Sequence, residues 1–312
     1  MKSLKKRIAK QLMGAGVGLL LDRILGEPPS SVHPVAAFGK VMNNAEMLLW
    51  RGNRASGVNY GVFGLLVAAA TSRCFSSPFI GTAVGTYLAV AEKSLLENAT
   101  SIESSLMRGD LESVRRQLPS LVGRDPESLD ENGAARAVIE SVAENSSDAV
   151  IAPMFFGALL GGSGAITYRA VNTMDAMVGH RNAQYLDFGW FSARLDDLAN
   201  YLPSRLAGLL AWSIPTGRRV KPGLILADAV GHPSPNAGVI EATYAYKLGI
   251  RLGGENSYGG TVDWRPEMGD GHGTEPSDIA GSVLLCRKSD TLFAATLIVG
   301  GVSLVLWPWS GR

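Results

Sequence analysis

The chain has 312 residues, with 29 basic and 28 acidic side chains, and only 18% of its residues are charged, against about a quarter in an ordinary soluble protein. Balanced charge removes any strong case for nucleic acid, and a positive mean hydropathy means that much apolar surface meets something other than water. Cys74 and Cys286 stand far apart with no partner at metal spacing, and His33, His180, His232 and His272 form no HExxH or HxxxH pair, so a disulfide framework, a zinc site and a histidine-built metal centre are all unsupported.

The N-terminal MKSLKKRIAK carries five basic residues and leads into QLMGAGVGLLLDRILG, which has no small-x-small cleavage site before Asp22 and Arg23. A retained membrane helix over about 8–25, with its start in the cytoplasm, follows from the positive-inside tendency. From Gly57 to Ala91 only Arg73 interrupts the uncharged run, and TSRCFSSP supplies turn formers, so two short spans (57–72 and 74–91) are expected as a hairpin. Leu95, Leu96, Ile102, Leu106, Leu111, Val114 and Leu118 recur at helical steps up to the breakers Pro119 and Gly123. Further apolar segments fall at 149–166, at 198–214 as an interfacial helix broken near Arg205, and at 291–309, which ends in Trp-Pro-Trp as suits a headgroup boundary. Nothing alternates as a β-strand and no internal repeat is visible. The expected fold is mainly α: a multi-pass helical protein of the inner cell membrane, one integral domain over 1–312.

Four polar clusters adjoin the apolar segments. In RAVIESVAENSSDAVIAPMFF, Arg136, Glu140, Glu144 and Asp148 recur every fourth residue beside Asn145. Like charges at that spacing cost a helix roughly 0.2–0.5 kcal/mol per pair, so solvent, a basic group or a cation must compensate them. TYRAVNTMDAMVGHRN puts Arg169, Asn172 and Asp175 on one helical face and follows them with His180, Arg181 and Asn182. FSARLDDLANYLPSR sets Asp196 and Asp197 between Arg194 and Asn200; a carboxylate pair furnishes Mg²⁺ sites, and equally complements a helix N-terminus. GHPSPNAGVIEATYAYKLGIRLGGEN fixes His232 and Asn236 with prolines, then carries Glu241, Lys247 and Arg251; this suits a loop that approaches a ligand, and also any surface loop. No GxxxxGK[ST], GxSxG or strand-borne GxGxxG occurs, so a nucleotide would be held by separated carboxylates, arginines and amides.

DRILGEPPSSVHPV, ESVAENSSDAVIAPMFF, YRAVNTMDAMVGHRN, FGWFSARLDDLANYLPSRL and GHPSPNAGVIEA resemble, in order and nearly in spacing, the CobD/CbiB family of cobalamin biosynthesis, over about residues 20–260. The resemblance implies a multi-pass membrane enzyme that joins adenosylcobyric acid, or cobyric acid, to (R)-1-aminopropan-2-ol or its phosphate, using ATP and Mg²⁺ and giving adenosylcobinamide or its phosphate. The corrinoid acid, the amino alcohol, ATP and the lipid bilayer are the implied partners; a homo-oligomer is compatible with the sequence.

Residue roles are assigned from the chemistry. Condensing a carboxylate with an amine requires phosphates held by Mg²⁺, cations for developing charge and a base for the ammonium proton. Asp148, Asp196 and Asp197, with Glu144, are expected around Mg²⁺-nucleotide. Asp175 and Asn172 would complete the cavity, Arg169, Arg181 and Arg194 would clamp phosphates, and Glu140 and His232 are the candidate bases. Asn145, Asn236 and Arg251 are further expected nucleotide or substrate contacts. Asp22, Arg23, Glu27 and His33 either join the site or brace the first helix, with bracing favoured. A shared cytosolic site requires 149–166 to be re-entrant or buried rather than spanning. The rivals are a Mg²⁺-dependent membrane prenyltransferase, which would want two DDxxD-type sites, and a transporter, which would want a repeat.

Overall fold

A computed structural model describes residues 2–123, 125–180, 182–258 and 261–307. Its helices in chain order are α1 (Lys2–Leu25), α2 (Pro34–Leu49), α3 (Arg54–Ser72), α4 (Ile80–Ala89), α5 (Glu92–Met107), α6 (Leu111–Gln117), α7 (Glu131–Asn145), α8 (Ala152–Leu160), α9 (Gly162–Val178), α10 (Trp190–Ser213), α11 (Pro222–Ala229), α12 (Ala237–Leu248) and α13 (Asp278–Leu306). Strands β1 (Ile250–Tyr258), β2 (Thr261–Met268) and β3 (His272–Gly273) lie between α12 and α13. The chain is mainly helical, as expected, and folds as two compact units: Met1–Ala91 with Asp148–Asn200 and Phe293–Arg312, and Glu92–Ser147 with Tyr201–Leu292.

In the first unit α1 packs on α4 and α8, α4 on α9, and α3 on α9 and α2. The expected hairpin therefore has its two helices, but each takes other neighbours. Small residues set these contacts. A Cβ at Gly14 would stand 2.8 Å from the Phe79 carbonyl oxygen and one at Gly18 2.6 Å from Thr86 Cβ, while one at Gly162 would overlap the Gly81 carbonyl. Gly14 and Gly18 on α1, and Gly81 and Gly85 on α4, repeat at the four-residue spacing that lets membrane helices approach closely. Met42, Tyr60, Met174, Val178 and Phe188 fill the core between α2, α3 and α9.

The apolar run 149–166 is not one helix. A π-helical turn, Ser146–Ile151, precedes α8, and Gly161 at φ 79° separates α8 from α9, which packs back on it. At about 1.5 Å per residue α8 reaches only about 14 Å, half of a hydrocarbon core of about 30 Å. Among the described residues, two helices are long and apolar enough to cross a membrane: Arg54–Phe75, which is α3 with a 3-10 extension, and α13. Only 28% and 33% of their most apolar windows are buried, so most of that surface faces outward, unlike the core helix of a soluble protein.

The second unit centres on α12, buried from Ala237 through Lys247 apart from the half-buried Val239, with α7, α11 and the sheet against it. Three sequence expectations are corrected here. The long periodic segment divides at Gly109 (φ 70°), after which the Asp110 carboxylate caps α6 by accepting the Ser113 N–H at 3.0 Å. Helix α10 runs unbroken through Pro203, and Arg205 folds back to donate to the Tyr201 carbonyl at 2.9 Å. A three-stranded sheet of order β2-β1-β3 is present, with β1 antiparallel to β2 and parallel to β3. Its register slips between Leu252 and Gly254, opposite Pro266, so that proline occupies a bulge where its missing N–H costs no ladder bond.

Candidate active site

Asp196 is the centre of the polar cluster in the first unit. Its position on α10 is buried, and its carboxylate accepts the Asn200 amide at 3.0 Å, one helical turn on, and the Asn172 amide of α9 at 3.4 Å. Tyr168 lies behind them: its buried hydroxyl is 2.7 Å from Asn200 Oδ1 and 2.9 Å from the Asp148 carbonyl, and its single proton serves one of them at a time. Phe156 of α8 stacks on the Tyr168 ring at 5.2 Å, fixing it. Burial pushes the Asp196 carboxyl up to about 7, the charge of Asp175 adds to this, and the two amides oppose it. Burial also raises Tyr168 well above its ordinary value, so the phenol stays a donor.

Around this centre the structure brings together most of the residues expected from the second and third motifs. Arg169 donates to Asn172 Oδ1 at 3.2 Å, confirming that 169 and 172 share a face of α9. Arg194 and Asp197 pair at 3.4 Å on the outer side of α10. Asp148 sits on the π-helical turn, whose wider hydrogen-bond spacing ends the four-residue repeat of the acidic ladder before that residue is reached. Arg181 lies outside the described residues. Two members of the network, Tyr168 and Asn200, carry more of it than the sequence suggested: Asn200 has the i,i+4 spacing from Asp196, whereas a lone tyrosine in a helix reads as core.

The remaining expected residues belong to the second unit and serve several local arrangements. Glu140 is buried and accepts the Gly253 N–H at 2.8 Å, bracing β1. Glu144 is exposed on α7, and Asn145 donates to the Ser141 carbonyl at 2.9 Å. His232 and Glu241 form a nearly fully buried pair, 3.5 Å apart. Asn236 Oδ1 accepts Arg205 at 2.8 Å, and the same guanidinium donates to the Pro235 carbonyl at 3.0 Å, pinning the proline-rich turn to α10. Arg251 lies 3.8 Å from Glu267 at the rim of a polar cavity of about 290 Å³ that Arg136 also lines.

Among the described residues no three His, Cys, Asp or Glu side chains form a ready metal cage. Mg²⁺ does not need one, since it keeps several waters and takes one or two carboxylates with substrate phosphates. Burial is the main reason the Asp196 carboxyl retains its proton to about 7, with the charge of Asp175 second; a cation bound there would offset only the second of these.

Compared with known proteins, the chain matches the family model described as CobD/Cbib protein over residues 15–286, which contains all five motifs quoted above. It is 41% identical over 287 residues to "Cobalamin biosynthesis protein CobD" of Mycobacterium tuberculosis (strain CDC 1551 / Oshkosh), covering 88% of this chain and 91% of that protein. Proteins of the same name from Geobacter metallireducens (40% over 268 residues, 81% of this chain and 84% of that protein) and Clostridium perfringens (38% over 272 residues, 81% and 86%) are similar over nearly the same span. No solved structure matches. At this identity over most of both chains, and with the five motifs in order, the chain belongs to the CobD/CbiB family of cobalamin biosynthesis proteins.

Proposed function

We propose that this chain is the membrane enzyme that forms an amide between a corrinoid acid, adenosylcobyric or cobyric acid, and (R)-1-aminopropan-2-ol or its phosphate, using ATP and Mg²⁺. Family membership supports corrinoid chemistry. The single observation that carries the reaction type is the buried Asp196 carboxyl, held by Asn172 and Asn200 beside Asp175, with Arg169 and Arg194 close by. Such an arrangement handles anionic phosphates through a cation and guanidinium forks.

A carboxylate oxygen is a poor leaving group, so the acid attacks the γ-phosphorus of ATP, the bond to the β-phosphate oxygen breaks and ADP leaves. The amine then attacks the acyl carbon, phosphate leaves, and one proton passes to a base. Mg²⁺, when bound, neutralises phosphate charge and orients the transferred group. Asp196 and Asp197 would hold it, Asn172 and Asn200 fix the Asp196 carboxylate, and Arg194 and Arg169 bind phosphate and carboxylate oxygens. In this reading Asp175, whose charge acts on the Asp196 carboxyl, takes the proton, in place of the Glu140 and His232 expected from the sequence. The backbone break at Gly161 keeps 149–166 from spanning as a single helix, which is compatible with Asp148 and the α9 and α10 residues of the first unit lying on one side of the membrane.

The test supplies purified protein with cobyric acid, Mg²⁺, ATP and each amino alcohol in turn, following ADP and amide. Stoichiometric ADP and amide are expected with one of the two amines. Corrinoid conversion without ATP, or diphosphate release from a prenyl substrate, would replace this reading, and corrinoid movement across a bilayer without any covalent change would favour the transporter.

A further inference from the structure

Beside the Asp196 cluster, between α2, α3 and α9, lies a cavity of about 220 Å³. Phe38, Val41, Val67, Ala68, Phe75 and Ile166 supply most of its wall, and among the described lining residues Arg169 carries the charge. Two threonines also face it, yet neither offers a donor: Thr71 gives its hydroxyl to the Val67 and Ala68 carbonyls at 3.0 and 3.1 Å, and Thr173 to the Arg169 carbonyl at 2.7 Å. A nucleobase placed there would find only the Arg169 guanidinium and two threonine oxygens in place of its hydrogen bonds to water, and the groups left unpaired would be costly. The cavity suits hydrocarbon with an anionic group at one end.

His33 immediately precedes two residues of the cavity wall and lies within electrostatic reach of Arg169. Its Nδ1 accepts the Val35 N–H at 3.1 Å, capping α2, and the next two residues, Pro34 and Val35, form part of the cavity wall. With Nδ1 engaged as an acceptor, the neutral ring carries its proton on Nε2. Burial lowers the imidazole pKa, Glu27 opposes that shift and Arg169 adds to it, so the ring stays neutral and remains an N–H donor. The Arg169 guanidinium meanwhile gives one of its N–H groups to Asn172, itself bonded to Asp196, and has others to offer. An anion at the cavity mouth is thus one side chain away from the acid cluster.

We propose that this cavity receives the alkyl-rich edge of the acid substrate and that Arg169 and the Nε2–H of His33 together hold its carboxylate during phosphorylation. The assignment rests on the functional reading above and adds His33 to the site. Neither group transfers a proton: the carboxylate oxygen forms its bond to phosphorus as the bond to ADP breaks, while the two donors orient it and disperse its charge. Adjacency to Asp196 is what favours a substrate over a lipid tail.

The test uses the full chain in nanodiscs of defined lipid, with His33→Ser and Ala37→Phe. Serine caps a helix well and removes only the imidazole donor, and Ala37 is an exposed position in the cavity wall, so both variants keep their fold, checked by thermal melting. Ala37→Phe is expected to raise the Kd for cobyric acid, read from the corrinoid's visible absorption, at least tenfold. His33→Ser is expected to lower kcat at least tenfold. The KM for Mg-ATP stays unchanged in both. Wild-type values in both variants overturn the assignment, as does an Ala37→Phe protein that changes only the co-purified phospholipid. Wild-type protein that neither binds nor converts the acid removes the functional reading itself, and this assignment with it.

Discussion

Asp196 shows how a carboxylate can be kept in place at a thermodynamic cost. Its carboxyl holds a proton up to about pH 7 when folded, against about 3.9 when unfolded, so the folded state binds the extra proton between those values. The stability this contributes is therefore complete below about pH 4 and lost as pH rises through 7. Asp196→Asn, which keeps the shape and removes the charge, is expected to melt higher than wild type at pH 8 without Mg²⁺ and no higher at pH 4; equal melting at both values would show that the carboxyl is not desolvated. The same substitution, and Arg169→Ala, are expected to reduce ATP-dependent amide formation more than tenfold, with full activity in both rejecting their roles. At this scale the motif residues of α9 and α10 were legible because helical spacing puts Arg169 with Asn172 and Asp196 with Asn200. Tyr168 was not, since only burial reveals that its hydroxyl joins α9, α10 and the turn before α8.

Elements were readable where apolar periodicity and caps agreed, and misread where one residue type had two uses. Gly109 followed by Asp110 is a helix stop and a new cap, which the continuous leucine pattern concealed. The break expected near Arg205 is absent, α10 continuing through Pro203, and the absence of alternation hid β2, which holds Pro266 at its bulge. The glycines of α1 and α4 carried information that hydropathy ignores, because their value lies in how near another backbone can come. Gly162→Val is accordingly expected to destabilise the first unit by at least about 1–3 kcal/mol, the usual range for overpacking, since its side chain would collide with the Gly81 carbonyl rather than with a flexible group. Thermal unfolding in detergent measures this, and a wild-type melting point would mean that α4 and α9 are not in close contact.

For the whole molecule, low charge and uncharged runs pointed to a membrane protein, and the structure identifies α3 and α13 as helices with the length and outward apolar surface to cross. In a Cys74→Ser background, which removes the exposed native thiol, cysteines introduced at Arg51 and Ser76, exposed residues on either side of α3, are expected to react with impermeant reagents from opposite faces of the membrane; labelling of both from one face would remove α3 as a span. The division into two units was not visible in the sequence, because each is assembled from separated stretches and neither has a linker of distinct composition. The most direct measurement follows ¹⁸O from the labelled carboxylate of cobyric acid during turnover with Mg-ATP and the amino alcohol. Activation by phosphorylation places one ¹⁸O in the inorganic phosphate for each amide formed. Phosphate free of label, with amide still accumulating, would contradict it.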